Sequence, residues 1–283
     1  MNWMTYDIIH SHGLRPDIFI RKNHKSMPRT VSTIHNYAKL DLEYTYNKFI
    51  ASIFEPVWNW ACAKHTCNVV LSNDMKNYYS RFWRNKNLHV IPNTRVIDTD
   101  VNESRIQEIR SFAEGRNVIG SLSVVTVRKG LGHIIQFLTR NENWVYVHVG
   151  GGDLAELQSQ AQELGVANRC MFLGHKNEGF EYVHAFDVFA MPSLSEGFPL
   201  SLIEAVQIGT PIVASKIPVF EESFSSSEIS FFALNNNEEF SQAVDRVMKN
   251  KGSYIEKALA KFRLKYAPDI VANDYLNVYQ EIQ

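Results

Sequence analysis

The feature that most constrains this chain is an alternation. Short β-branched runs bounded by turn residues recur along it, with amphipathic helical periods between them. The runs read as strands at Asp7–Ser11, Thr30–Ile34, Asn68–Ser72, His89–Pro92, Val118–Leu122, Val145–Val149, Met171–Gly174, Val188–Pro192 and Pro211–Ser215. The clearest helical periods are Gly132–Thr139, Leu154–Leu164, Leu200–Gln207 and Glu238–Met248, and a last helix covers Ala267–Gln283. Strand and helix in repetition predict an α/β protein with parallel sheets covered by helices on both faces. In such sheets ligands collect beyond the carboxyl ends of the strands. His12, His35, Arg128–Gly130, Gly150–Gly152 and Ser193–Pro199 all fall at such ends.

A chain of 283 residues suits two domains of ordinary size or one large one. The polar stretch Asp98–Arg116 marks the boundary, giving a first domain over 1–112, a second over 113–266 and a returning helix over 267–283. The net charge of −1 hides an asymmetry: residues 1–100 carry 13 Lys and Arg against 8 Asp and Glu, and the rest carry 16 against 22. Anionic lipid headgroups or a phosphorylated acceptor suit the basic part, and a chance surface imbalance accounts for it equally well. No nucleic-acid partner is expected. Cys62, Cys67 and Cys170 form neither a disulfide framework nor a zinc motif, which suits a reducing compartment. The N-terminus lacks a basic leader, and no run reaches the roughly 18 apolar residues of a spanning helix. Phe49–Trp60 is aromatic and amphipathic, flanked by basic runs at Arg21–Arg29 and Arg81–Lys86. A membrane interface is one account of it. Packing into the core is the favoured one.

The most informative segment is Ser193–Pro218, SLSEGFPLSLIEAVQIGTPIVASKIP. A strand runs into a loop holding Glu196-Gly197-Phe198-Pro199, and a helix starts near Leu200. Glu196 lies in the loop and Glu204, eight residues on, lies inside the helix, so the two can approach one molecule from different sides. The helix start offers backbone N–H groups and a positive dipole end, suited to a diphosphate.

The whole segment resembles the E-x7-E signature of retaining glycosyltransferases of the GT-B fold, the family 4 group, whose wording is close to SEGFPLSLLEAMACGTPVVAS. The strand–helix–strand Tyr146–Gly174, the HVIPN run at His89–Asn93, the DIIHSHGLRP run at Asp7–Pro16 and the STIH run at Ser32–His35 match the family in the same order. The resemblance implies two Rossmann-like parallel-sheet domains facing a cleft, with the first abbreviated. It implies a hexosyltransferase-type enzyme that moves a sugar from a nucleotide-sugar such as a UDP- or GDP-sugar, with retention, onto a glycan or lipid-linked acceptor. Cell-surface polysaccharide or lipopolysaccharide assembly on the cytoplasmic side of a membrane is the implied setting, and the basic first part is compatible with contact at an anionic membrane surface.

By this resemblance Glu196 lies against the donor sugar and Glu204 bonds the nucleotide ribose. Gly197, Phe198, Pro199, Leu200 and Ser201 hold the diphosphate, Gly150 and Gly151 form the glycine turn, and His175 and Lys176 lie near the base. Arg128 and Lys129 match the loop that neutralises the diphosphate, although Ser121 stands where the family usually has an arginine. His12 matches the histidine aimed at the sugar, and His35 is a weaker candidate. His10 is placed on the opposite face of the sheet, and the other histidines are read as surface or satisfied core residues. No metal is expected, because no Asp-x-Asp stands at a strand end.

Against the family, the chain starts at what is usually the fourth strand. A misplaced gene start or truncation, a partner chain supplying the missing strands, and a short form that covers its own edge all remain open. A non-catalytic or decayed donor-binding fragment is the alternative to an enzyme. A GT-B epimerase fits the E-x7-E wording poorly, and the lysine context of a phosphorylase is missing.

Overall fold

The computed structural model describes residues 3–83, 87–98 and 103–283. Residues 84–86 of the basic run and 99–102 of the boundary stretch lie outside them.

The chain divides into two compact units. The first comprises residues 1–94, 196–198 and 266–283, and the second comprises 95–195 and 199–265. In the first, β1 (Ile8–His12), β2 (Arg29–Ile34), β3 (Cys67–Val70) and β4 (Asn87–Val90) lie side by side in chain order. Every pairing is parallel. The connections are α1 (Leu14–Asn23), then α2 (Ala38–Thr45) with α3 (Lys48–Cys62), then α4 (Asn73–Tyr79). The C-terminal helix, Pro268–Ile282, presents Val271, Val278 and Ile282 to Val31, Val69 and Ile91. That spacing is one face of a helix.

A buried carboxylate organises the other side of this sheet. Asp17 on α1 is fully buried. It accepts hydrogen bonds from Ser11 Oγ (2.6 Å), Ser32 Oγ (2.9 Å) and Trp58 Nε1 (2.9 Å). Burial pushes its pKa up, but bonds from His65, Ser11 and Trp58 outweigh this and hold it below the ordinary carboxylate value. β1, β2, α1 and α3 are therefore joined through one side chain.

The second unit has a six-stranded parallel sheet of β5 (Asn117–Leu122), β6 (Trp144–Val149), β7 (Cys170–Phe172), β8 (Val188–Met191), β9 (Ile212–Ser215) and β10 (Ser230–Phe232). Its spatial order is β10-β9-β8-β5-β6-β7. The chain runs outward from β5 to β7, then returns to place β8 on the other side of β5. The helices are α5 (Glu103–Ala113), α6 (Gly132–Leu138), α7 (Ala155–Glu163), α8 (Leu200–Ile208), α9 (Pro218–Ser223), α10 (Asn237–Lys249) and α11 (Lys251–Lys265). In the core, Phe240 of α10 meets Phe232 edge-on with 4.8 Å between ring centroids, and meets Phe137 of α6 at 5.5 Å.

All nine strands read from the sequence are present, with ends shifted by a few residues. β10 was not expected; its three residues are too few to show a period. The boundary also differs from the one read at 112. Arg110 of α5 forks onto Asp187 at 2.8 and 3.2 Å, and Arg105 donates to the Glu178 carbonyl at 3.1 Å. Those bonds hold α5 in the second unit, so the division follows Thr94.

Phe240→Ala should lower the unfolding free energy of the second unit by about 3–5 kcal/mol. Urea denaturation followed by tryptophan fluorescence measures it. A loss under about 1 kcal/mol would mean this aromatic cluster is not tightly packed.

Candidate active site

β5 and β8 are neighbours from which the chain departs in opposite directions, the point at which open parallel sheets bind ligands. After β5 the chain makes a 3-10 turn at Val127–Lys129, and after β8 it enters the Ser193–Pro199 loop. The two are tied. Leu194 N donates to Arg128 O at 2.8 Å, and Arg128 Nη1 donates to Ser195 O at 2.7 Å. Gly130 follows the turn at φ 61°, where a Cβ would stand 2.1 Å from the Pro192 carbonyl oxygen. Only glycine permits that approach. Lys129, Ser121, Ser123 and Ser193 line one small cavity at these strand ends. Beyond the loop, α8 opens at Leu200 after Pro199, which contributes no side-chain cap, and a helix start of this kind presents N–H groups suited to an anion. Leu200 is exposed and Ser201 half-buried.

The ends of β6 and β7 bring the glycine turn together with His175. Gly150 N donates to Gly174 O at 2.9 Å, and a Cβ on Gly151 would lie 3.5 Å from that of His175. A Cβ on Gly150 would stand 1.8 Å from Ser123 O, so the turn also closes against the chain leaving β5. His175 is exposed and Lys176 half-buried.

Glu204 is buried in α8 and paired with Arg95, whose Nη1 donates to Glu204 Oε1. Gln207 Nε2 holds the Arg95 carbonyl at 3.0 Å, and the guanidinium lies over Phe180, 5.5 Å from the ring centroid. Burial raises the Glu204 pKa, and the Arg95 charge opposes that. Sequence reading did not find Arg95; it lies 109 positions from its partner and no local spacing marks it.

Ser121 has a different task from the arginine usual at its position. It is buried, and its Oγ lies 2.8 Å from Tyr146 Oη and 2.9 Å from His148 Nδ1. His148 is therefore not an ordinary satisfied core residue. Its Nε2 is buried without a well-aligned partner, and burial lowers its pKa to about 4.

The first unit carries the remaining candidates. His12 Nδ1 lies 2.8 Å from His35 Nε2, so one of the two nitrogens donates and the other accepts. The rings are stacked at 5.1 Å. His10 stacks on the other side of His12 at 4.5 Å, which places it on the same face and corrects the expectation of opposite faces. Residues two apart on a strand share a face. His10 is held by Tyr279 Oη (2.6 Å) and Thr33 Oγ1 (2.8 Å). Burial is the main cause of depressed pKa values at all three: to about 4 at His10, and below the ordinary value at His12 and His35. Glu196, Gly197 and Phe198 group with this unit, and all three are buried. A Cβ on Gly197 would stand 1.7 Å from the His35 carbonyl oxygen, so this loop lies directly against the histidine-bearing backbone.

A pocket of about 520 Å³ also lies in the second unit, lined by His133, Asp153 and Glu156 among others. Gly130 and Leu194 of the strand-end loops border it, but none of the residues assigned to the donor does. Among the described residues no three His, Cys, Asp or Glu side chains gather as metal ligands would.

Two family models divide the chain. Residues 2–99 match "Glycosyltransferase Family 4" and residues 102–263 match "Glycosyl transferases group 1". The chain belongs to the glycosyl transferases group 1 family. This glycosyltransferase is 28% identical over 284 residues to the Escherichia coli O-antigen biosynthesis glycosyltransferase WclY, covering 98% of this chain and 80% of that one. It is 26% identical over 266 residues to the E. coli UDP-Gal:alpha-D-GlcNAc-diphosphoundecaprenol alpha-1,3-galactosyltransferase, covering 87% and 67%. Its fold is that of Anabaena HepE, solved in complex with UDP and glucose. The TM-score is 0.82 at 18% identity, covering 97% of this chain and 78% of HepE. Its two parallel-sheet units are thus of GT-B type.

His10 and His148 titrate near 6.5 when solvated but near 4 here. Between those values the unfolded chain binds more protons, so this glycosyltransferase should lose stability as pH falls from about 6.5 towards 4. Urea unfolding at pH 7 and pH 5 measures the loss, and His148→Gln should show a smaller one. An unchanged pH dependence in that variant would contradict the depressed value.

Proposed function

We propose that the glycosyltransferase moves a hexose from a UDP-sugar, with retention, onto a diphosphoundecaprenol-linked saccharide in O-antigen or related polysaccharide assembly. The observation that carries this reading is the joined pair of loops at the β5/β8 switch point, where Arg128 holds the Ser195 carbonyl of the loop that leads into α8. The choice of UDP is supported by the UDP bound in HepE and by the UDP-Gal donor of the galactosyltransferase. The acceptor class is supported by that same relative and the assembly by WclY.

In this reading Arg128, Lys129 and the N–H groups of Gly197, Phe198, Leu200 and Ser201 carry the charge that develops on the leaving diphosphate, without a metal. Arg95 holds one oxygen of Glu204 in place, and Oε2 accepts from a ribose hydroxyl. The Gly150–Gly151 turn, His175 and Lys176 border the base. Glu196 orients the donor sugar, and neutral His12 bonds a sugar hydroxyl. The acceptor oxygen bonds to the anomeric carbon on the face from which the phosphate departs. The bond from that carbon to the phosphate oxygen breaks, and the acceptor proton passes to the departing phosphate. No helix among the described residues is long and apolar enough to cross a membrane.

The test supplies UDP-hexoses and a diphosphoundecaprenol-linked sugar, then reads the new linkage by NMR. An α-linked product from an α-linked donor is expected. Glu204→Ala should raise KM for the donor, and Glu196→Gln should lower kcat by about a hundredfold with donor affinity little changed. A β-linked product would overturn retention, and no product from any donor would overturn the assignment.

A further inference from the structure

One face of α3 is turned outward. Phe49, Ile53, Val57 and Trp60 follow the i, i+4, i+8, i+11 spacing of a single helix face, and Phe54 lies beside them. Their exposures run from 38% at Val57 to 74% at Phe49. This corrects the expectation that Phe49–Trp60 packs into the core. The opposite face does so: Ala51, Asn59, Ala61 and Cys62 are buried, and Trp58 donates to Asp17. The orientation of α3 is thus fixed from inside. From Phe49 to Trp60 the outward stripe is about 18 Å long, and a contiguous exposed apolar surface of this kind marks an interaction site.

The charges around the stripe say what fits it. Arg21 of α1 lays its guanidinium over the outward Trp60 ring, 4.5 Å from the centroid. Lys22 is exposed on α1, and Lys48 and Lys64 are exposed at the two ends of α3. The acidic group on α3, Glu55, is taken by the Tyr78 hydroxyl. The neighbouring α2 adds half-buried Asp41 and Glu43. An aromatic stripe with cations at its borders suits an anionic bilayer surface, where rings enter the headgroup boundary and lysines meet phosphates. A second copy meeting this face about a two-fold axis would set these cations against one another.

We propose that the outward face of α3, with Arg21, Lys22, Lys48 and Lys64, docks the first unit onto an anionic lipid bilayer. The inference deepens the reading above, since a diphosphoundecaprenol-linked acceptor is presented at a membrane. It names a surface separate from the residues assigned to donor binding and transfer.

Flotation of the full chain with phosphatidylcholine vesicles, with and without phosphatidylglycerol, tests it. Binding to the anionic vesicles, weakened by added salt, is expected. Phe49→Ser with Ile53→Ser should weaken it at least tenfold, and Lys22→Glu with Lys48→Glu should do the same. UDP binding by calorimetry, unchanged in both variants, would show that they fold. Vesicle binding without UDP binding in the unaltered protein would sink the donor reading and leave the docking surface standing. No vesicle binding, or binding indifferent to both variants, would overturn the proposal. So would a dimer in sedimentation that only the apolar variant breaks, because the face would then belong to a second copy.

Discussion

Every strand in both sheets runs parallel to its neighbours, and the chemistry of this molecule depends on that constraint. In each sheet all strands end along the same edge, so the loops that leave them gather there. In the second unit the order turns back between β5 and β8, so the turn at Val127–Lys129 and the loop after Met191 emerge side by side. Two close backbone approaches keep them there: Gly130 against Pro192, and Gly150 against Ser123. A methyl group at either position would push the loops apart. The basic turn, the glycine turn and the start of α8 are thus consequences of one topology.

The first unit depends on a different kind of interaction. A carboxylate at the position of Asp17 would be costly to bury alone, and the bonds it collects from two strands and a helix compensate it. Because Trp58 is one of those donors, the rotation of α3 about its axis is settled by the core. The aromatic stripe faces outward for the same reason that Ala51 and Cys62 face inward. On the other side of the sheet, the C-terminal helix brings Tyr275 and Tyr279 to Thr33 and His10. That steadies the strand on which His12 stands.

Strand and helix positions were legible because β-branched runs and helical periods are local signals, and the glutamate pair was legible because its loop-then-helix setting is carried by a contiguous segment. What was not legible depends on residues far apart or on ambiguous periods. Arg95 meets Glu204 across 109 positions. Ser121 looks like a lost arginine until Tyr146 and His148, alternating on the neighbouring strand, are seen to share its face. The amphipathic period of α3 is the same whether its apolar stripe faces a core or solvent, so the pattern alone could not choose. His10 is a different case, because the two-residue period of a strand already puts it beside His12.

The central claim is that the β5/β8 switch point of the second unit binds a nucleoside diphosphate. Calorimetric titration of the purified chain with UDP, GDP and ADP tests it most directly. The account predicts saturable binding of UDP at one site per chain, stronger than GDP or ADP and weakened by Lys129→Ala. A folded protein that takes up none of the three nucleotides would contradict it.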